Sequence, residues 1–177
     1  MTSVNQRNAF YAAVVLQVLI LILVPLQQVK SLMTGRLIVL PVEPVDPYSV
    51  MKGYYVTLSY RICRPERISS EPLQLADGQT VYTVVREGAG GLWEPVSIDT
   101  KPPVDLPAGQ AFLKGRKKGW RGISYGIEEF SMPETRRNEI NEKLRLYLNT
   151  AHVNVLVDDD GNAALDSLSI NGKTYRW

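Results

Sequence analysis

Residues 45–60 read VDPYSVMKGYYVTLSY, and the second half of this stretch has the pattern of a β-strand. From residue 54 to residue 62, a mostly apolar set of side chains alternates with a mostly polar set. The apolar set is Tyr54, Val56, Leu58, Tyr60 and Ile62. A period of two places one set on the buried face of a sheet and the other on its open face. We therefore predict a half-buried strand over residues 54–62.

Segments throughout the rest of the chain extend this β pattern. Short apolar or alternating runs are separated by glycine, proline and aspartate, which favour turns. The predicted strands are residues 37–40, 80–86, 92–98, 111–117, 122–126, 128–130, 152–157 and 163–170. Residues 158–162 (DDDGN) and Asn171-Gly172 have the composition of hairpin turns. With one helix, this order predicts a mainly β (α+β) domain, either an open β-barrel or a sandwich.

The single helix of this domain is predicted from an N-cap at Ser131 to residue 148. Pro133 suits the first turn of such a helix. Ile140, Leu144 and Tyr147 recur at helical spacing, which predicts one apolar face.

Residues 9–26 (AFYAAVVLQVLILILVPL) form an uncharged and strongly apolar run. A bilayer core needs about 20 apolar residues as a helix, with about 17 as the lower limit. A helix of a soluble core would show polar residues at helical spacing, and a cleaved signal peptide would end in small residues. We therefore predict a polar leader over residues 1–8, a transmembrane helix over 9–29, a linker over 30–36 and a β-rich domain over 37–177.

Charges around the apolar run give little information about its orientation. Arg7 lies before it, whereas Lys30 and Arg36 lie after it, so the positive-inside rule has almost no asymmetry to act on. A short leader before one span most simply inserts with its C-terminal domain exported. We expect a single-pass protein with a periplasmic or lumenal domain, and the opposite orientation is the alternative.

The charge of the β-rich part argues against nucleic acid as a partner. The chain has 20 basic and 18 acidic residues. Arg7, Lys30 and Arg36 are the only charged residues before residue 37, which leaves 17 basic and 18 acidic residues for the remainder. Such a balance offers no positive excess for phosphate binding. Cys63 is the only cysteine, so the chain forms no internal disulfide.

Several short blocks of the sequence form a recognisable set. The first two are Pro44-x-Asp46-Pro47 and Gly53-x-Tyr55-x-x-Leu58-x-Tyr60. The later blocks are Lys114-Gly115-Arg116, Tyr125-Gly126-Ile127-Glu128-Glu129-Phe130-x-x-Pro133-Glu134, Asp160-Gly161-x-Ala163 and Asn171-Gly172. In type and order, these blocks resemble the GDYXXLXY family of bacterial membrane-anchored proteins. The resemblance covers nearly the whole chain. It implies a membrane-anchored protein whose partner is a multi-span membrane protein, because such proteins are frequent genomic neighbours in the family.

Tyr54 stands where the family motif has aspartate. If that carboxylate carried out chemistry in the family, this chain would lack it. A structural role explains the motif better, with Gly53 for a tight strand entry and Tyr55, Leu58 and Tyr60 for packing.

Ser49 and Lys52 have the S-x-x-K spacing of some serine hydrolases. On a helix, this spacing brings a lysine amine within reach of a serine hydroxyl, where a neutral lysine can act as base. Here Ser49 follows Asp46-Pro47, which favours a turn. We therefore prefer a solvated turn and keep a membrane-anchored serine hydrolase as the alternative function.

Other polar residues have plain structural explanations. Glu128 is expected to pair with Arg116 or Arg121 across a hairpin, and Glu129 to point to the opposite side. The run at residues 158–160 lacks the closing glutamate of a calcium loop. His152 is the only histidine and has no second ligand nearby in the sequence. We expect no catalytic, metal or cofactor site.

A basic run with one tryptophan is the strongest candidate contact surface. Its members are Lys114, Arg116, Lys117, Lys118, Trp120 and Arg121. Cations near an anionic bilayer contribute about 1 kcal/mol each, and tryptophan favours the interface. A solvated hairpin tip is the simpler explanation. The sequence therefore predicts a non-enzymatic accessory subunit of a membrane complex, in contact with the bilayer and a multi-span partner.

Overall fold

A computed structural model describes residues 2–44, 51–52, 55–69, 73–119, 122–131 and 134–176. Two α-helices and a series of strands make up this part of the chain. The helices are α1 (Thr2–Thr34) and α2 (Arg137–Tyr147). The strands are β1 (Arg36–Pro41), β2 (Met51–Lys52), β3 (Tyr55–Thr57), β4 (Thr80–Glu87), β5 (Trp93–Asp99), β6 (Gln110–Lys117), β7 (Ile123–Ser124), β8 (Glu129–Ser131), β9 (His152–Val157), β10 (Ala163–Ile170) and β11 (Lys173–Tyr175).

The strands form three antiparallel sheets. Their orders are β1-β9-β10-β11, β2-β3-β8 and β5-β4-β6-β7. The prediction of a mainly β domain is confirmed. The barrel considered from the sequence does not close, because each sheet ends in strands that pair on one side only within the described residues.

One hydrophobic core joins the three sheets and α2. Ile38 and Val153 enter it from the first sheet, Val56 from the second, Leu113 from the third and Ile140 from α2, each at most 2% exposed. Every second side chain of β9 faces this core, as a period of two requires. Burial of each such side chain contributes roughly 1.5–3 kcal/mol, so the core holds the three sheets together.

The two C-terminal hairpins follow the prediction closely. Strands β9 and β10 begin and end at the predicted residues. The β10–β11 turn has Asn171 at a φ of 49° and Gly172 at a φ of 77°. A two-residue hairpin turn with two positive φ angles favours asparagine followed by glycine, which explains why this turn was readable from the sequence.

The strand predicted over residues 54–62 is shorter than expected. Strand β3 stops at Thr57, and Ser59 then forms a single bridge with Glu43. Its partner β8 has only three residues, so the ladder ends early. The predicted buried face is nevertheless present, since Val56, Leu58 and the side chains of residues 60 and 62 are at most 2% exposed.

Helix α2 begins later than predicted. Ser131 lies in β8 opposite Tyr55, so its backbone belongs to the ladder and the predicted N-cap at Ser131 is wrong. A 3₁₀ turn over residues 134–136 precedes the helix instead. Ile140 and Leu144 are buried as predicted, whereas Tyr147 is 42% exposed.

Helix α1 runs continuously through the predicted leader, the apolar run and most of the linker. The described side chains over residues 7–21 are exposed, including Phe10 at 64% and Leu21 at 67%. Within the described part of the chain, no helix is both long enough and apolar enough to cross a membrane.

Candidate functional site

The motif residues lie where two distant segments of the chain pair. In the β3–β8 ladder, Tyr55 lies opposite Ser131, and Val56 lies opposite Phe130. Beyond the ladder, the amide of Leu58 donates to the carbonyl of Glu128 at 2.7 Å. We name residues 55–60 and 127–131 the motif junction. The two blocks that resemble the family in sequence are therefore hydrogen-bonded to each other in space.

Tyr60 is the most buried tyrosine of the motif junction. It is 1% exposed, and its hydroxyl donates to the carbonyl of Ile127 at 2.7 Å. Burial raises its pKa well above the usual value, so the hydroxyl stays protonated and remains a donor. Leu58 is also buried, whereas Tyr55 is half-buried on the opposite side. These positions fit packing rather than acid–base chemistry.

A Tyr60→Phe substitution should lower the free energy of unfolding by about 1–2 kcal/mol, because the buried carbonyl of Ile127 loses its donor. Urea unfolding of the full chain in detergent measures this change. Tyr147→Phe is the matched control, since Tyr147 is 42% exposed and should shift stability by less than about 0.5 kcal/mol. Equal effects of the two substitutions would contradict the assigned role of Tyr60.

Glu128 closes a turn in front of β8. Its carboxylate accepts hydrogen bonds from the hydroxyl of Ser124 at 3.0 Å and from the amides of Tyr125 and Gly126. The expected ion pair with Arg116 is not among the ion pairs of the described residues, and Arg121 lies outside those residues. The neighbouring Glu129 is exposed on β8. Glu128 thus has a local capping role.

A buried polar network lies behind the motif junction. The hydroxyl of Tyr125 donates to the carbonyl of Ile62 at 3.0 Å and lies 2.6 Å from the hydroxyl of Thr83. Cys63, the residue after Ile62, is also buried, with only 7% of its surface exposed. Burial, reinforced by the charge of Glu128, raises the pKa of its thiol to about 12. Because only the thiolate is a good nucleophile, Cys63 is a packing residue.

We expect Cys63 to resist thiol reagents in the folded chain. At pH 8, reaction with dithiobis(nitrobenzoate) should be at least ~100-fold slower than in urea-unfolded chain, because the native thiol is both buried and protonated. Absorbance of the released thiolate follows both rates. Comparable rates in the two states would show that the thiol is accessible and reactive.

Several predicted residues lie outside the part of the chain that the structure describes. They are Asp46, Pro47, Ser49, Gly53, Trp120, Arg121 and Pro133. The backbone of Lys52 is described in β2, where it pairs with Tyr55. The S-x-x-K spacing needs a helix to bring the lysine amine onto the serine hydroxyl, and Lys52 lies in a strand.

The described part of the predicted basic surface lies on β6 and the residue after it. Lys114, Arg116 and Lys118 are exposed, and Lys117 is half-buried. Lys114 lies opposite Tyr82 of β4 in the ladder. Because residues two apart share a face of a strand, Lys114 and Arg116 both lie on the open face of this sheet.

The C-terminal end of α1 is bonded to the turn between β9 and β10. Ser31 is completely buried and donates its hydroxyl to a carboxylate oxygen of Asp158 at 3.0 Å. One residue earlier, Lys30 forms an ion pair with Asp160 at 2.6 Å. We name these four residues the helix–domain junction. The β-rich domain is therefore bonded directly to the end of α1.

Asp158 is the centre of the helix–domain junction and is 5% exposed. Burial opposes its negative charge. Hydrogen bonds from the side chain and amide of Asn162, from Ser31 and from the amide of Asp160 outweigh burial and lower the pKa of Asp158. The predicted turn at residues 158–160 is confirmed, but its contact with α1 was missed, because residues 30–31 and 158–160 are distant in the sequence.

A groove of about 650 Å³ opens beside the helix–domain junction. Its residues come from three segments: strands β4 and β6, the proline-rich residues 102–106, and the β9–β10 turn. They are Tyr82, Pro102, Pro103, Val104, Leu106, Phe112, Lys114, Asp159, Asp160 and Asn162. The rings of Tyr82 and Phe112 lie 6.0 Å apart, and Val104 is 94% exposed. The groove thus combines aromatic, apolar, acidic and basic groups.

His152 lies at the start of β9, where its Nδ1 is 3.2 Å from the carbonyl of Thr150. Among the described residues, no three histidine, cysteine, aspartate or glutamate side chains lie close enough together to hold a metal ion. The expectation of a chain without metal or cofactor stays a prediction.

Comparison with known proteins identifies a family. The family model described as GDYXXLXY protein matches residues 17–168 of the chain. This range includes both the motif junction and the helix–domain junction. No curated protein and no solved structure gives a significant match.

Proposed function

Because the chain belongs to the GDYXXLXY protein family, we propose that it is a non-enzymatic, membrane-anchored accessory subunit of a membrane protein complex. The described motif residues support this proposal, since they pack and cap turns. The described side chains of the motif junction bring together no nucleophile, base and orienting group.

The observation that carries the proposal is the helix–domain junction. A domain that only needs to stay near a membrane can be joined to its anchor by a free linker. Here Ser31 is buried against Asp158, and Lys30 pairs with Asp160, so the domain has a set orientation relative to α1. A set orientation suits a domain that must meet a partner at a defined height above the bilayer.

The exposed apolar surface of α1 supports a membrane location for this helix. Val15 and Leu16 are each 61% exposed, and their neighbours from residue 9 to residue 21 are also exposed. In water, a contiguous patch of this kind favours association or aggregation. We propose that a bilayer covers it and that the apolar run of residues 9–26 forms a single span, with the β-rich domain on the exported side. The side chains of residues 22–26 belong to this run but lie outside the described ones.

The partner that we propose is a multi-span membrane protein. Arg116 and Lys118 form an exposed basic surface on the domain. Such a surface complements an acidic loop of a partner. Charge complementarity determines which partner binds and in which orientation more than it determines how tightly the partner binds.

Co-purification in mild detergent tests the proposal. A tagged full-length chain should bring down one integral membrane protein in constant stoichiometry. Lys30→Gln combined with Ser31→Ala loosens the helix–domain junction and should reduce this recovery several-fold, while the chain itself stays in the membrane fraction.

Met33→Ala is the matched control for this experiment, because Met33 lies on the same helix end and is 80% exposed. It should leave recovery of the partner unchanged. A chain that purifies alone as a monomer would contradict the accessory function, and hydrolysis that depends on Ser49 and Lys52 would support the alternative.

A further inference from the structure

The groove lies at the level of lipid headgroups if α1 spans a bilayer, so this inference rests on the proposed function. Lys30 follows Leu26, the last residue of the apolar run 9–26, by four positions, which is about 6 Å along a helix. The polar layer on each side of a bilayer core is roughly 5–8 Å thick. Lys30 contacts Asp160 at 2.6 Å, and Asp160 lines the groove. Headgroups would therefore surround the groove.

Two groove residues of opposite charge are available for a ligand. Lys114 and Asp159 both line the groove and are both exposed. Within the described part of the chain, neither side chain forms an ion pair or a hydrogen bond, and they do not pair with each other. A groove with separate positive and negative groups matches a ligand that carries both charges.

The remaining lining residues narrow the chemistry of this ligand. The rings of Tyr82 and Phe112 favour a cation, whether ammonium or trimethylammonium, and the carboxylate oxygens of Asp159 accept hydrogen bonds that, of these two, only the N–H groups of the ammonium can donate. We propose that the groove binds the headgroup of phosphatidylethanolamine, with its ammonium at Asp159 and its phosphate at Lys114.

Competing lipids fit this arrangement less well. The trimethylammonium of phosphatidylcholine has no N–H group to donate to Asp159. Phosphatidylglycerol has no cation at all, so its binding would leave Asp159 unpaired beside an anion. The apolar residues Pro102, Val104 and Leu106 at the rim suit the start of the acyl chains.

Lipid retention by the full-length chain tests this assignment. The chain is placed in nanodiscs that contain equal amounts of phosphatidylethanolamine, phosphatidylglycerol and phosphatidylcholine, then transferred to detergent, and bound lipids are identified by native mass spectrometry. We expect phosphatidylethanolamine to be enriched. Lys114→Gln and Asp159→Asn should each reduce its enrichment about fivefold. Arg86→Gln is the matched control, because Arg86 is exposed on the same strand as Tyr82 but does not line the groove, and it should have no effect.

Each other outcome overturns the assignment in a distinguishable way. Equal retention of the three lipids, or an unchanged enrichment in both groove variants, rules out the headgroup site while leaving the anchor intact.

If the chain prefers phosphatidylglycerol and the Asp159→Asn variant keeps this preference, the surface binds acidic lipids instead. Soluble phosphoethanolamine that binds as tightly as the lipid contradicts a membrane source, and capture of a partner protein by a cross-linker at Val104 assigns the groove to that protein. A chain that does not enter nanodiscs overturns the proposed function as well.

Discussion

A Gly122→Ala substitution should destabilise the domain by about 3 kcal/mol or more, the largest effect that we expect from a single methyl group. Gly122 has a φ of +99°, a conformation that residues with a side chain rarely adopt. In addition, a Cβ atom at this position would overlap the carbonyl oxygen of Cys63. That obstacle is backbone, so it cannot rotate away. Urea unfolding, followed by tryptophan fluorescence, measures the change in the free energy of unfolding.

A Gly126→Ala substitution separates the cost of the positive φ angle from the cost of the overlap with the Cys63 carbonyl. Gly126 has a similar φ of +82°, but a Cβ there would meet nothing within 4 Å. This control should cost only about 1–2 kcal/mol, from the unfavourable φ alone. If both variants lost the same stability, the close approach of residue 122 to Cys63 would not exist in solution.

An Asp158→Ala substitution should cost about 2–4 kcal/mol, because it removes a buried carboxylate that accepts several hydrogen bonds. The hydroxyl of Ser31 would stay buried without its charged acceptor. Asp105→Ala is the matched control, since Asp105 is exposed, and it should change stability by less than about 0.5 kcal/mol. Thermal or urea unfolding of the full chain measures both. If Asp158→Ala and Asp105→Ala caused similarly small losses of stability, α1 would not be held by the turn that contains Asp158.

The pH dependence of stability offers an independent check of Asp158. Its pKa in the folded chain lies below the usual 3.8, so the unfolded chain takes up the proton first as the pH falls. The stabilisation is complete above about pH 5 and is lost as the pH falls below about 4. The difference in stability between the wild type and Asp158→Ala should therefore shrink in this range. Glu139, whose pKa is lowered to about 2, titrates in both proteins and cancels from the difference.

Local patterns in the sequence were sufficient for much of the fold. The limits of β9 and β10 and the turn at Asn171-Gly172 were predicted correctly, because alternation and turn chemistry depend only on neighbouring residues. Contacts with distant segments caused the errors. The motif strand stops early because β8 is short, and Ser131 does not cap α2 because it is paired with Tyr55.

The candidate sites were only partly predictable for the same reason. Lys114 was identified as part of a basic surface, but its groove is assembled from β4, β6, residues 102–106 and the β9–β10 turn. Ser31 carries no signal of its own, since a serine after an apolar run is typical of a linker. Its partner Asp158 lies 127 positions away, so only the folded chain brings the two together.

Alkaline carbonate extraction tests most directly whether α1 lies in a membrane and holds the β-rich domain there. The full-length chain should remain in the membrane pellet. Leu16→Arg combined with Leu19→Arg should release it, because each arginine at the centre of a span costs about 2.5–3.5 kcal/mol. Asn8→Arg combined with Met33→Arg adds the same charge outside the apolar run and should leave the chain in the pellet. Recovery of the unaltered chain in the carbonate supernatant would contradict the account.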